Sequence, residues 1–382
     1  LGEINLLFGV LTGLILLVAL VVLHELGHAI AARRSGVVVE EFGVGFPPTA
    51  WKKKLKNGIL LTLNWLPLGG YVKLQGEYDS ATNKGDYGAA TYLQKTKILF
   101  AGVMVNWLVA IVLLTIVAWF GMPKVLPNQF SVADDTTIIS QPVEIQSVTK
   151  DHPAEKIGLQ SGDQITRFDG QDIKSAEELI TIIKKNEGKT VDLTYVRDGL
   201  PASTTVLLDG ENSGGIFGAT LGQRESLRAT WSAPIVGFGT TVQFTIVTLQ
   251  GIGDLVYNLA SGVIMQFSPD ASTSNDAKEK IANAGESVAG PIGILGVIFP
   301  AASSAGIIQL LFLTGIISLS LAVMNVLPIP ALDGGRWTTM TIFRIMGKKL
   351  TKEREEKIQM IGFSILMGLT LLVTFVDVSK LF

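Results

Sequence analysis

Residues 6–23 (LLFGVLTGLILLVALVVL) carry no charged side chain, and the apolar run continues through residues 24–32 (HELGHAIAA). At a helical rise of about 1.5 Å per residue, a run of this length crosses a hydrocarbon core of about 30 Å. It reads as a first transmembrane helix. A cleaved signal peptide is the alternative, but Glu3 stands where a basic n-region belongs and the run is too long for an h-region. Comparable runs lie at 98–120, 306–327 and 358–376, which predicts four spans. With 48% hydrophobic and 17% charged residues, the composition fits an α-helical polytopic membrane protein and not one soluble domain.

The charges between the runs set an orientation. Arg33, Arg34, Lys52, Lys53, Lys54, Lys56, Lys73, Lys84, Lys95 and Lys97 lie between the first two spans, and Arg336, Arg344, Lys348, Lys349, Lys352, Arg354 and Lys357 between the last two. Both connections are therefore expected in the cytoplasm, with the long segment 121–300 and both termini outside. The net charge of −2 gives no basic field for nucleic acid. Within 141–210, the runs VEIQSV, QITRFDG, VDLTYV and STTVLL alternate with Gly and Asp turns around a helical SAEELITIIKK, which predicts a small α+β domain. Residues 229–266 are apolar but interrupted by glycines, and an extra span there would invert the later topology against the basic 336–357 link. Helices lying at the membrane interface are expected instead. The expected divisions are 1–35, 36–96, 97–121, 122–225, 226–300, 301–357 and 358–382: first span, cytoplasmic-side loop, second span, extracytoplasmic domain, interface helices, third span with its basic link, and fourth span.

The chain has no cysteine and three histidines, so thiolate metal sites and cysteine nucleophiles are excluded. Two of the histidines stand in His24-Glu25-Leu26-Gly27-His28, near the predicted cytoplasmic end of the first span. An i, i+4 spacing puts the imidazoles about 40° apart on one helix face. Two His and one Glu at membrane depth are costly unless something pairs with them. Zn2+ is the natural partner: imidazoles bind it and Glu25 can take a proton from water. A polar cavity or a proton relay in a transporter is the competing reading.

A catalytic zinc needs a third protein ligand and one open position. The remaining histidine, His152, falls in the outer domain, where it reads as a solvated loop residue. A carboxylate is expected, and Asp333 in Asn325-Val-Leu-Pro-Ile-Pro-Ala-Leu-Asp333-Gly-Gly is the best candidate, at the cytoplasmic end of the third span. Pro328 and Pro330 break that helix, and Gly334 and Gly335 permit a sharp turn back towards the first span. Taken alone the segment also reads as an ordinary Pro/Gly turn ending a span.

HELGH at 24–28, LPLGGYVKL at 66–74, AGVMVN at 101–106 and NVLPIPALDGG at 325–335 occur in an order that resembles the site-2 protease family of intramembrane zinc metalloproteases, in particular its RseP-type bacterial branch. The resemblance covers nearly the whole chain. It implies that His24, His28 and Asp333 hold zinc, that Glu25 is the general acid/base, and that Asn106 and Asn325 help to hold or unwind substrate. It also implies an inner-membrane enzyme acting on single-span membrane proteins, such as anti-sigma factors or signal-peptide remnants. Val103 stands where the family has proline in AGPxxN, and the outer segment has room for one PDZ domain where the best-known members carry two.

Two elements have to serve the substrate. A helical peptide bond must unwind before hydrolysis, and its freed backbone groups need partners. Residues 58–64 and 69–74 can form short strands whose edge, at Gly69 and Gly70, could pair with an extended substrate, and the resemblance assigns this to a membrane-associated β-element. An ordinary cytoplasmic hairpin fits the residues equally well. In the outer segment, Gly158-Leu159-Gln-Ser-Gly162-Asp163-Gln-Ile165 looks like the GLxxGDxI signature of PDZ domains, which capture a peptide C-terminus or extended chain; a size filter is the alternative role. A metal transporter and a non-catalytic scaffold presenting that domain are the rival functions. The first is disfavoured by Glu25, and the second leaves the intramembrane His, Glu and Asp unexplained.

Overall fold

The computed structural model describes residues 2–209, 216–266 and 290–379. The chain divides into two compact units, Leu1–Val117 with Pro234–Phe382, and Ala118–Ala233.

The first unit opens with helix α1 (Gly2–Arg34), whose last turn carries Arg33 and Arg34. These cations oppose the helix dipole, and Gly36 at φ +79° turns the chain away. Strands β1 (Val39–Lys54) and β2 (Leu60–Leu74) follow and pair with each other over several irregularities. Gly43 has Cα partners in both Thr62 and Tyr71, so the 39–46 run lies between the two halves of β2. This is the β-element expected from 58–64 and 69–74. Helix α2 (Tyr92–Phe120) starts in a reciprocal cap: the Thr91 hydroxyl accepts from the Gln94 N–H at 3.3 Å, and the Gln94 side chain accepts from the Thr91 N–H at 2.8 Å. Ala32, Val39, Leu74, Tyr87 and Ile98 share one buried cluster that fixes the β-element to the ends of α1 and α2.

The second unit contains β3 (Met122–Pro123), β4 (Thr137–Ser140), β5 (Val143–Val148), α3 (Pro153–Lys156), β6 (Gln164–Phe168), β7 (Gln171–Asp172), α4 (Ala176–Lys185), β8 (Thr190–Arg197), β9 (Leu200–Leu207), β10 (Ala219–Gly222) and β11 (Glu225–Arg228). One sheet runs β10-β5-β6-β8-β9 with β7 beside β6, and a second runs β3-β11-β4. The four strand runs and the helix read from 141–210 are β5, β6, β8, β9 and α4. Ser175 caps α4 by accepting from the Glu178 N–H, and the helix buries Leu179, Ile182 and Ile183 against Ile145, Phe168 and Leu193. This is the PDZ-like domain. Its signature residue Asp163 is buried and receives two hydrogen bonds of 2.7 Å from the Arg197 guanidinium. Burial pushes the Asp163 carboxyl up, but Arg197 and the Gln160 N–H outweigh it and hold the group below its ordinary value. His152 differs from the solvated loop residue expected: its ring is packed over Gly218, with Nδ1 3.6 Å from Asp209.

The first unit resumes with α5 (Ala233–Gln266), α6 (Pro291–Ser304), α7 (Ile307–Val326), α8 (Asp333–Ile345) and α9 (Lys352–Ser379). Among the described residues, five helices are long and apolar enough to cross a membrane: the four expected, and α5 over Ala233–Gly262. Where helices lying at the interface were expected within 229–266, the structure has one continuous helix, α5, of membrane-spanning length. Gly237 lets α5 close on α2 at Thr115, Phe238 stacks edge-on against Trp107 at 5.6 Å, and the Trp107 indole donates to Thr245. The first half of α5 therefore runs lengthwise along α2. Gly237 provides close helix contact, and the helix continues unbroken through its other glycines. Helix α6 packs on α1 where Gly9 and Gly13 leave room for Pro300 and Phe299.

Candidate metal centre

His24 and His28 lie in the unbroken C-terminal part of α1, one turn apart and both buried. Their Nε2 atoms are 3.1 Å from each other, and 3.1 and 3.3 Å from Asp333 Oδ2. Ligand atoms bound at about 2.0 Å to a tetrahedral ion stand about 3.3 Å apart, so the three atoms have the spacing of one metal shell. The tautomer agrees. His28 Nδ1 lies 2.8 Å from the Ile98 carbonyl, which can only accept, so Nδ1 carries the proton and the Nε2 lone pair faces the other ligands. Two imidazoles and one carboxylate, with no thiolate, form a donor set suited to a hydrolytic divalent metal. The residues fit the ion.

Asp333 reaches this place through a turn that the sequence dictates closely. Helix α7 stops at Val326, and Leu327 is extended just before Pro328. Ala331 adopts φ +78°, a conformation unusual outside glycine, and α8 then begins at Asp333 itself. A Cβ on Gly334 would stand 2.1 Å from the Val326 carbonyl oxygen, and one on Gly335 1.9 Å from that of Ile329. Only glycine lets the first turn of α8 lie against the end of α7, and that contact directs the carboxylate towards α1.

The floor of the centre is Gly102. A Cβ there would lie 2.6 Å from His28 Nε2 and 2.7 Å from His24 Nε2, so the bare backbone of α2 passes directly beneath both rings. Gly27 makes the reciprocal approach, with its Cβ direction meeting the Ala101 carbonyl at 2.7 Å. Asn106 lies one turn beyond Gly102, almost wholly buried, with neither side-chain polar atom hydrogen-bonded. It does not line the ligand cavity.

That cavity has a volume of about 230 Å³ and is lined by Glu25, Val72, Tyr87, Asn325 and Arg336 beside the three ligands. Glu25 and Val72 of β2 share the lining of this cavity. Gly70 abuts Glu25, a Cβ there standing 3.5 Å from Glu25 Cγ, and Gly69 takes φ +105°. Asn325 donates to the Leu321 carbonyl within α7 while facing the cavity. Arg336 donates to Glu355 and to the Glu77 carbonyl, and its guanidinium lies 4.9 Å from the Tyr87 ring centroid. Sequence reasoning missed Gly102, Tyr87 and Arg336. Arg336 could have been found, since it follows Asp333 by three residues on the same helix face.

Comparison with known proteins gives the same picture. The model of Peptidase family M50 matches residues 12–369. Zinc metalloprotease RasP of Shouchella clausii is 28% identical over 95% of this chain and 97% of its own, and the regulator of sigma-W protease RasP of Bacillus subtilis 25% identical over 98% and 99%. Among solved structures, the PDZ domain of an SdrC-like protein of Listeria monocytogenes is 30% identical over 24% of this chain and 93% of its own, with a TM-score of 0.19. The match of the family model along nearly the whole length, over a centre of two imidazoles and a carboxylate, places this chain in peptidase family M50, the site-2-type metalloproteases.

Proposed function

We propose that the protein is a zinc-dependent intramembrane endopeptidase that hydrolyses transmembrane segments of single-span membrane proteins. The observation that carries the reading is the convergence of His24 and His28, on a helix long and apolar enough to cross a bilayer, with Asp333, in the turn that follows another such helix, all within 3.3 Å. Bound zinc supplies Lewis acidity, polarising a scissile carbonyl and easing deprotonation of water.

The chain's own residues do the rest. Glu25, in the cavity wall beside His24, His28 and Asp333, takes the proton from the attacking water and returns it to the departing amide nitrogen. The Gly69–Leu74 run of β2 offers an edge along the cavity, for among the described residues no strand pairs with its outer side. An unwound substrate adds to that edge as a further strand, and Gly70 leaves space beside Glu25 for its backbone. Asn325, in the cavity wall, and Asn106, with free amide atoms one turn from Gly102, receive other backbone groups released by unwinding. The basic connections put the ends of α1 and α7, and with them the centre, near the cytoplasmic face of the inner membrane. The PDZ-like domain then lies outside, where it binds a peptide C-terminus or extended segment. The B. subtilis relative is a regulator of sigma-W, which favours anti-sigma factors among single-span substrates.

The test is purified Glu25→Gln beside the wild type. Zinc content is expected to stay near one per chain while cleavage of a reporter helix falls at least about a hundredfold. Unchanged cleavage by the variant contradicts the role of Glu25.

A further inference from the structure

A second cavity, of about 570 Å³, lies away from the metal centre, where α2 begins and α8 ends. Four cations line it, Lys95, Arg344, Lys348 and Lys349, against one carboxylate, Asp79. Lys95 is buried and already joined to Asp79. The remaining three cations are in excess. Arg344 is held in place by the Tyr92 ring, 4.7 Å below its guanidinium, and is free to offer its donors to an anion. Thr91 and Thr351, the residues just before α2 and α9, also line the space, so the positive ends of two helix dipoles point at it.

The surroundings identify the kind of anion. The cavity adjoins the first turn of α2, a helix of membrane-spanning length, so it sits where headgroups lie. Met340, Phe343 and Leu350 line the same cavity beside the cations. A soluble phosphate has no use for apolar walls, whereas a phospholipid lays its glycerol and acyl chains there. We infer that this cavity binds the phosphodiester headgroup of an anionic phospholipid, gripped by Arg344, Lys348 and Lys349. Such a lipid would tie the start of α2, the helix of Gly102, to the end of α8, the helix of Asp333.

The test uses the full chain in neutral detergent, titrated with dioleoyl phosphatidylglycerol or dioleoyl phosphatidylcholine, with bound lipid counted by native mass spectrometry. Saturable binding of phosphatidylglycerol is expected, with phosphatidylcholine at least about tenfold weaker. Arg344→Gln with Lys348→Gln and Lys349→Gln is expected to weaken phosphatidylglycerol binding roughly a hundredfold without changing the lipid-free thermal midpoint. Arg344→Gln alone, which keeps most of the local structure, is expected to weaken it several-fold, and the double exchange Lys348→Arg with Lys349→Arg to preserve it. Equal binding of the two lipids, wild-type affinity in both glutamine variants, or displacement of the lipid by millimolar inorganic phosphate or glycerol 3-phosphate would each overturn the inference, the last by identifying a soluble phosphate as the ligand.

Discussion

At the scale of residues, the chemistry is set by which side chains are absent as much as by which are present. The candidate metal-binding trio was legible because HELGH fixes two imidazoles on one face by spacing alone, and because a chain without cysteine and with one distant histidine leaves a carboxylate as the expected third ligand. Gly102 was not legible. Its importance depends on how α2 crosses α1, which no local pattern encodes, and the His28 to Ile98 carbonyl bond was hidden for the same reason. Gly102→Val is expected to push the imidazoles apart and lower zinc affinity by about tenfold or more, measured by competition with a chromophoric chelator. An affinity equal to wild type would show that the rings do not rest on this backbone.

At the scale of elements, the turn from α7 into α8 and the pair β6 and β8 illustrate two kinds of constraint. In the first, Pro328, Pro330 and the glycine pair announced a sharp break, and the structure adds that Gly335 touches the Ile329 carbonyl. Gly335→Ala is expected to shift the start of α8, so that metal content and cleavage fall together; full zinc occupancy in this variant would refute the link between the turn and the ligand. In the second, Asp163 and Arg197 join the loop before β6 to β8 through two hydrogen bonds to a charged acceptor, and Arg197→Ala is expected to lower the stability of this domain. Because the folded carboxyl titrates below its unfolded value, its stabilisation is complete above the ordinary carboxylate pKa and is lost as pH falls through the lower, folded pKa. Protease resistance of residues 118–233 in the full chain is therefore expected to decline at acidic pH, with a smaller decline in Asp163→Asn. Identical pH profiles would contradict the assignment. Helix α5 is the element least legible in the sequence: its glycines looked like interruptions, yet the helix is continuous, and the close contact of Gly237 with α2 at Thr115 exists only in the packed molecule.

At the scale of the whole molecule, the four strongly apolar runs and the order of the motifs were enough to indicate a polytopic membrane metalloprotease, for those signals are local and redundant. Topology is more demanding. The ends of α1 and α7 must share one side of the bilayer for Asp333 to meet His24, and α2 runs the opposite way from α1. The chain between α2 and α7 must therefore cross an even number of times in all.

The central claim is hydrolysis inside an apolar helix by this metal centre, and the most direct measurement is the position of the cut. Detergent-purified protein is incubated with a reporter carrying one transmembrane helix between two soluble tags, with and without a zinc chelator and beside Glu25→Gln, and the new termini are read by mass spectrometry. The expected result is a chelator-sensitive cut within the apolar segment, lost in the variant. Termini confined to the soluble flanks, or a cut that persists in both chelator and variant, would contradict the account.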